Sequence, residues 1–137
     1  MPFQAQMPLK LTGAKAGAGL TAASVQYKWV KMSADQTVVL CDGATDKPIG
    51  VLQAPVSATG QPVDVVVIGE TQIQADASLS AGQGIGAAAD GQAAHYEIGA
   101  GSNTKYVAGT VVNVAGGTTA GNLITAVIDC VNPPLGG

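Results

Sequence analysis

The sequence predicts an all-β fold: a small β-barrel or β-sandwich of about nine short strands, preceded by an extended N-terminal arm. Short apolar stretches of strand length recur along most of the chain. Turn pairs such as Asp42-Gly43 and Asp90-Gly91 separate them. Ala is abundant, but Gly interrupts the Ala-rich stretches at a cost of about 1 kcal/mol per residue in a helix. The 137 residues fit one domain.

Three segments are expected along this domain. Residues 1–24 form the arm, in which Leu9-Lys10-Leu11 can make a short strand and residues 12–23 are mostly Gly, Ala and Thr. Residues 25–131 form the β domain. Residues 132–137 contain two prolines and two glycines, and we expect them to be a loose C-terminal tail.

The strands of the β domain follow from alternating or continuous apolar residues. The first has Val25, Tyr27 and Trp29 on an inward face. The pair Gly69-Glu70 is typical of a two-residue hairpin turn, so it divides two strands. In chain order the predicted strands are 25–29, 37–41, 49–53, 63–67, 71–75, 85–89, 95–98, 107–114 and 123–131.

Charged residues are scarce and unevenly placed. They make up 11% of the chain, with a net charge of −3 and no Arg. Because nucleic-acid binding needs basic clusters, and Arg is the best reader of phosphates and bases, no specific nucleic-acid partner is expected. Residues 1–31 carry four lysines and no acid, whereas residues 32–137 carry two lysines and nine acids. This split suggests a basic docking segment joined to an acidic body.

The sequence offers no constellation of catalytic, cofactor-binding or metal-ligating residues. His95 is the single histidine and has no nucleophile near it in sequence. Cys41 and Cys130 are far apart and form no C-x-x-C motif, which is poor spacing for zinc. They are expected to be reduced, buried thiols, and a disulfide between them is left open.

Membrane insertion and aromatic stacking are also not expected. No apolar run approaches the 18 residues of a membrane span, and the first six residues lack the features of a signal peptide, so synthesis in a cytoplasm is expected. The chain has five aromatic residues, too few for a stacking platform for sugars or single-stranded nucleic acid. Tyr27 and Trp29 are therefore assigned to the core.

A series of short motifs resembles the capsid decoration, or cement, proteins of tailed bacteriophages. Their common feature is a small residue, usually Gly, beside an apolar strand, and their order is kept over residues 25–131. The segment 99–105 departs from the pattern as an insertion. The motifs are Tyr27-Lys28-Trp29-Val30-Lys31, Pro48-Ile49-Gly50-Val51-Leu52, Val65-Val66-Val67-Ile68-Gly69, Ser80-Ala81-Gly82-Gln83, Ala89-Asp90-Gly91-Gln92, Ala108-Gly109-Thr110 and Ala120-Gly121-Asn122-Leu123-Ile124.

This resemblance implies a virion protein without catalytic activity. Such proteins bind the outer surface of the head, across junctions between major capsid protein subunits, and stabilise the shell. They associate with themselves, and the sequence leaves dimer and trimer open. From the composition of the arm we expect its apolar and basic residues to contact the capsid. The candidates are Phe3, Leu9, Lys10, Leu11 and Lys15.

Two other functions stay open. A ligand- or carbohydrate-binding β module on a virion or cell surface would need an exposed aromatic beside a carboxylate. A small enzyme would need a pocket that holds His95 beside a carboxylate and a Cys.

Overall fold

The computed structural model describes residues 8–20, 25–97, 104–114 and 121–136. These residues contain twelve strands and no α-helix, so the all-β prediction is confirmed. The strands are β1 (Leu9–Lys10), β2 (Lys15–Ala16), β3 (Trp29–Ala34), β4 (Thr37–Leu40), β5 (Gly50–Leu52), β6 (Val65–Gln74), β7 (Gly84–Ala87), β8 (Ala93–His95), β9 (Lys105–Tyr106), β10 (Gly109–Asn113), β11 (Leu123–Asp129) and β12 (Leu135–Gly136).

The main sheet is open and curled. Its order is β2-β4-β3-β5-β6-β11-β10-β7-β8, and β1 pairs with β6 beside this path. Its ladders are antiparallel except that between β2 and β4. At one end Ala93 bridges Ala75, which follows β6, and at the other Lys15 bridges Pro62. The two ends therefore curl back toward β6, but the described residues do not close a continuous barrel.

Strand β6 lies at the centre of the sheet, and its length shows that the predicted hairpin turn at Gly69-Glu70 is wrong. The sequence suggested a hairpin turn at Gly69-Glu70, but β6 runs unbroken through both residues. Strand β11 pairs with seven consecutive residues of β6, so the ladder continues where a reversal was expected. Gly69 has φ +137°, and a Cβ there would lie 2.9 Å from Pro8 Cβ. Glycine is needed here for the close approach of Pro8, and the pair pattern alone does not distinguish this from a turn.

The described part of the N-terminal segment, residues 8–20, is part of the sheet and of the core. Within residues 8–20, β1 pairs with β6 and β2 pairs with β4. Ala14, Ala16 and Leu20 are buried in the core. A boundary at residue 24 therefore does not separate residues 8–20 from the folded body, because small side chains let this Gly/Ala-rich segment pack closely.

The C-terminal segment also differs from the loose tail that was expected. Strand β12 pairs with β9 in a separate two-stranded sheet. The amide of Val107 donates to the carbonyl of Pro134 at 2.8 Å. Gly136 lies against the carbonyl of Glu97 so closely that any Cβ would clash with it. The glycine that suggested looseness thus permits close packing.

The core consists of two clusters of buried side chains. The larger includes Trp29, Ile73 and Ile128 together with both cysteines, and the smaller includes Leu20, Val30 and Leu52. Trp29 is fully buried, as predicted. Cys41 and Cys130 are both buried, as expected, and no disulfide joins them in the structure.

Tyr27 is not part of the first strand. Its backbone has φ +63°, in the left-handed region that bulky residues rarely adopt, and β3 begins two residues later. Two hydrogen bonds hold it: its amide donates to Leu52 O at 2.7 Å, and its carbonyl accepts from Gln74 N at 2.8 Å. Tyr27 is therefore half-buried between β5 and β6 instead of lying in the core.

Candidate functional site

The predicted capsid-contact residues have different environments. Leu9 is 54% exposed, and Lys15 is also exposed. Leu11 packs against both core clusters, so its role is structural at least in part. Lys10 lies 3.1 Å from an Asp64 carboxylate oxygen in an exposed ion pair. Phe3 lies outside the described residues.

The structure also shows a surface that sequence reasoning missed, on the solvent side of β6, β11 and β10. We call it the outer face. Leu9 is directly opposite Ile68, and Ile68 is opposite Asp129. Directly opposite residues of an antiparallel pair project to the same side of the sheet. The remaining members alternate with core residues along the three strands and are Glu70, Gln72, Thr110, Val112, Thr125 and Val127.

The outer face is only weakly charged and carries exposed apolar side chains. Val127 is 48% exposed and Val112 is 46% exposed. Val112 projects at a bulge, because the ladder between β10 and β11 shifts register beside it. The alternation of buried Ile124, Ala126 and Ile128 with other residues was the available sequence signal for this face.

A polar groove overlaps the outer face and shares Glu70, Gln72 and Thr125 with it. Its volume is about 340 Å³. Six residues line it: Tyr27, Gln53, Glu70, Thr71, Gln72 and Thr125. The groove combines a tyrosine and a carboxylate with amide and hydroxyl groups, and its assembly depends on the left-handed backbone of Tyr27.

His95 lies at the edge of the sheet on β8 and is exposed. Its Nε2 is 2.9 Å from Glu97 Oε1, and the same oxygen accepts from Gly84 N at 3.2 Å. The hydrogen bond from His95, then that from Gly84, lowers the pKa of Glu97. No cysteine is among these contacts, and the described residues contain no group of three or more His, Cys, Asp or Glu positioned to hold a metal.

Within the ranges that the structure describes, no helix is long and apolar enough to cross a membrane.

Comparison with known proteins identifies a related fold. No protein-family model and no curated protein sequence matches this chain. The structure is similar to the crystal structure of the head fiber gp8.5 N base of bacteriophage phi29, with a TM-score of 0.56 and 18% sequence identity. The match covers 90% of this chain and 95% of that chain. At this identity the likeness shows a common fold.

Proposed function

We propose that this chain is a capsid decoration protein that binds the outer surface of a bacteriophage head and stabilises contacts between major capsid protein subunits. The observation that carries the proposal is the fold, which is similar over nearly the whole chain to the base of a phage head fiber. The order of decoration-protein motifs along the sequence supports the same conclusion. The proposed role involves no catalysis and no cofactor, and the chain is made in the host cytoplasm before it joins the virion.

The contact surface in this proposal is the part of the outer face around Leu9 and Val127, together with Lys15 of the N-terminal segment. Both apolar side chains are about half exposed. Protein interfaces combine such apolar anchors with a polar rim, and Thr110 supplies an uncharged polar group here. The cost of removing charges from water is therefore small over most of this surface.

The proposed mechanism is cross-linking of neighbouring capsid subunits by one decoration subunit. A decoration subunit that contacts two or three capsid subunits makes their separation cost more than one interface. Self-association, as a dimer or a trimer, adds to this effect by raising the effective concentration of the remaining contacts. A subunit that binds the assembled shell better than its separated parts stabilises the shell by linkage.

The test is co-sedimentation of the purified chain with phage heads that lack it. Deleting residues 2–20 is unsuitable, because it removes side chains of the core. We therefore use Leu9→Ser and Val127→Ser, singly and together, with Met32→Ser as a matched control. Met32 is 44% exposed but lies on β3, away from the outer face.

The wild-type chain and Met32→Ser are expected to sediment with heads and to raise their resistance to heat. The double variant is expected to bind about tenfold or more weakly, since a few residues carry most of the binding energy of an interface. A folded wild-type chain that never sediments with heads would overturn the proposed function. Equal binding of the double variant and the control would overturn the assignment of the contact surface.

A further inference from the structure

The polar groove on the outer face contains hydrogen-bonding groups that the protein itself does not use. Among the described residues, no partner is found for the Tyr27 hydroxyl, the Glu70 carboxylate, the Gln72 amide or the Thr125 hydroxyl. Four unpaired polar side chains therefore line one concave surface of about 340 Å³. Surface polar groups are usually satisfied by water, but their convergence in a groove is what a ligand site requires.

The floor of the groove is held rigidly by glutamine and threonine side chains. Gln53 Nε2 donates to Thr71 Oγ1 at 2.8 Å and to Val51 O at 3.1 Å. These bonds leave Gln53 Oε1 without a partner among the described residues. Gln74 Nε2 donates to Gln26 O at 2.9 Å, next to Tyr27. The network orders the groove before any ligand arrives, which lowers the entropic cost of binding.

The backbone of Tyr27, which lines the groove, is strained. A tyrosine with φ +63° costs of order 1 kcal/mol or more and persists only where the surroundings enforce it. Its two backbone hydrogen bonds enforce it here. Backbone strain is concentrated at binding sites in proteins, and here it moves an aromatic side chain out of a core strand and into the groove.

The chemistry of the lining defines the ligand. The carboxylate of Glu70 and the carbonyl oxygen of Gln53 accept hydrogen bonds, so the ligand must supply donors. The unpaired carboxylate disfavours phosphate, sulfate and sialic acid, and no lysine forms an ion pair with it. A neutral saccharide supplies several hydroxyl groups that both donate and accept, and its C–H face packs against an aromatic ring. A single tyrosine is enough for this, because most of the contacts are hydrogen bonds.

We propose that the groove lined by Tyr27, Glu70, Gln72 and Thr125 is a binding site for a neutral saccharide. The proposal does not depend on the decoration function.

The test uses the free, folded chain on an array of immobilised neutral oligosaccharides made of hexose and N-acetylhexosamine units. Sialylated and sulfated glycans and a lysine-rich peptide are printed on the same slide. Hits are measured by titration with the soluble glycan. The variants are Glu70→Gln and Gln72→Ala, which alter exposed side chains that bond to no other described residue.

The matched controls are Asp129→Asn and Thr110→Ala, which lie on the same outer face but do not line the groove. We expect binding to neutral glycans, weakened about tenfold or more by each groove variant and unchanged by each control. Circular dichroism and head co-sedimentation of the same variants show that they are folded and separate this result from the decoration function.

Three results would overturn the proposal. The first is a folded wild-type chain that binds no neutral glycan. The second is binding that the groove variants and the controls weaken equally. The third is a preference for the lysine-rich peptide, which would make the groove a site for cationic peptides.

Discussion

At the residue scale, Asp46 shows how a single carboxylate can organise a loop. Its Oδ2 accepts from the amide of Asp42 at 2.8 Å and from Lys31 Nζ at 2.9 Å. Desolvation raises the pKa of Asp46, but the Asp42 amide and the Lys31 ammonium outweigh it, so the net pKa is lowered. The hydrogen bond between Lys31 and Asp46 is in turn the largest cause of the raised pKa of Lys31. The loop between β4 and β5 is therefore stabilised by an ionised Asp46.

Replacing Asp46 with Asn should lower the free energy of unfolding by about 1 kcal/mol at pH 7, because the partly exposed ion pair and a charge-assisted hydrogen bond are lost. A carboxyl with a lowered folded-state pKa contributes stability above its unfolded pKa, and this is lost as pH falls through the folded pKa. Urea unfolding at pH 7 and at about pH 2.5 measures the difference, which should shrink at the lower pH. Asp35→Asn, at the exposed tip of the β3–β4 hairpin, is the control. A pH-independent difference would contradict the prediction.

Burial disfavours the reactive form of both thiols in the folded protein. Burial raises the pKa of Cys41, and burial, then the charge of Asp129, raises the pKa of Cys130 to about 12. The thiolate is the reactive form, so both residues lack it as well as access to solvent.

We predict that iodoacetamide labels neither Cys41 nor Cys130 within hours at pH 8 in the native state, and both within minutes in concentrated urea. Mass spectrometry of the intact chain counts the labels. A Ser78→Cys variant, at an exposed position, should gain one label quickly and serves as the positive control. Rapid labelling of the native wild-type chain would show that the buried thiols become exposed by frequent local opening.

At the element scale, the short β9–β12 sheet depends on glycine at a point of backbone contact. A Cβ at Gly136 would clash with the Glu97 carbonyl, whereas one at Gly43 would meet nothing within 4 Å. The residue just before β12, Pro134, also supplies the carbonyl that accepts a hydrogen bond from the Val107 amide. The C-terminal segment thus fits its neighbours closely despite its short length.

Gly136→Ala should lower the free energy of unfolding by about 1–3 kcal/mol, the usual cost of a steric clash in a packed region. Gly43→Ala is the matched control and should change it by less than about 0.5 kcal/mol. Thermal or urea unfolding of both variants tests the comparison. If the two variants are equally stable, β12 is not docked as described.

At the scale of the whole molecule, the N-terminal segment joins the sheet at two places and fills part of the smaller core cluster. Leu20 is fully buried there, while Leu9 on β1 is 54% exposed. The segment therefore supports the fold through one set of residues and offers a surface through another.

Leu20→Ala should destabilise the protein by about 2–5 kcal/mol, since it removes a core side chain and leaves a cavity. Leu9→Ala, the same substitution at an exposed position, should cost less than about 0.5 kcal/mol. Chemical unfolding of the two variants measures both values. Similar costs at the two positions would mean that residues 8–20 do not pack as a part of the body.

The sequence by itself determined the all-β class, most strand positions, the buried state of Trp29 and the cysteines, and the scarcity of charge. These follow from local patterns of apolar residues and from composition, which need no knowledge of distant contacts. Only the tertiary structure decided that β6 continues through Gly69, that the terminal segments join sheets, and that Tyr27 leaves the core. Each depends on partners far away in sequence: β11 for Gly69, Glu97 for Gly136, and Leu52 and Gln74 for Tyr27. A glycine that makes a turn and one that admits a neighbouring backbone look alike in sequence, because both need only the absence of a side chain.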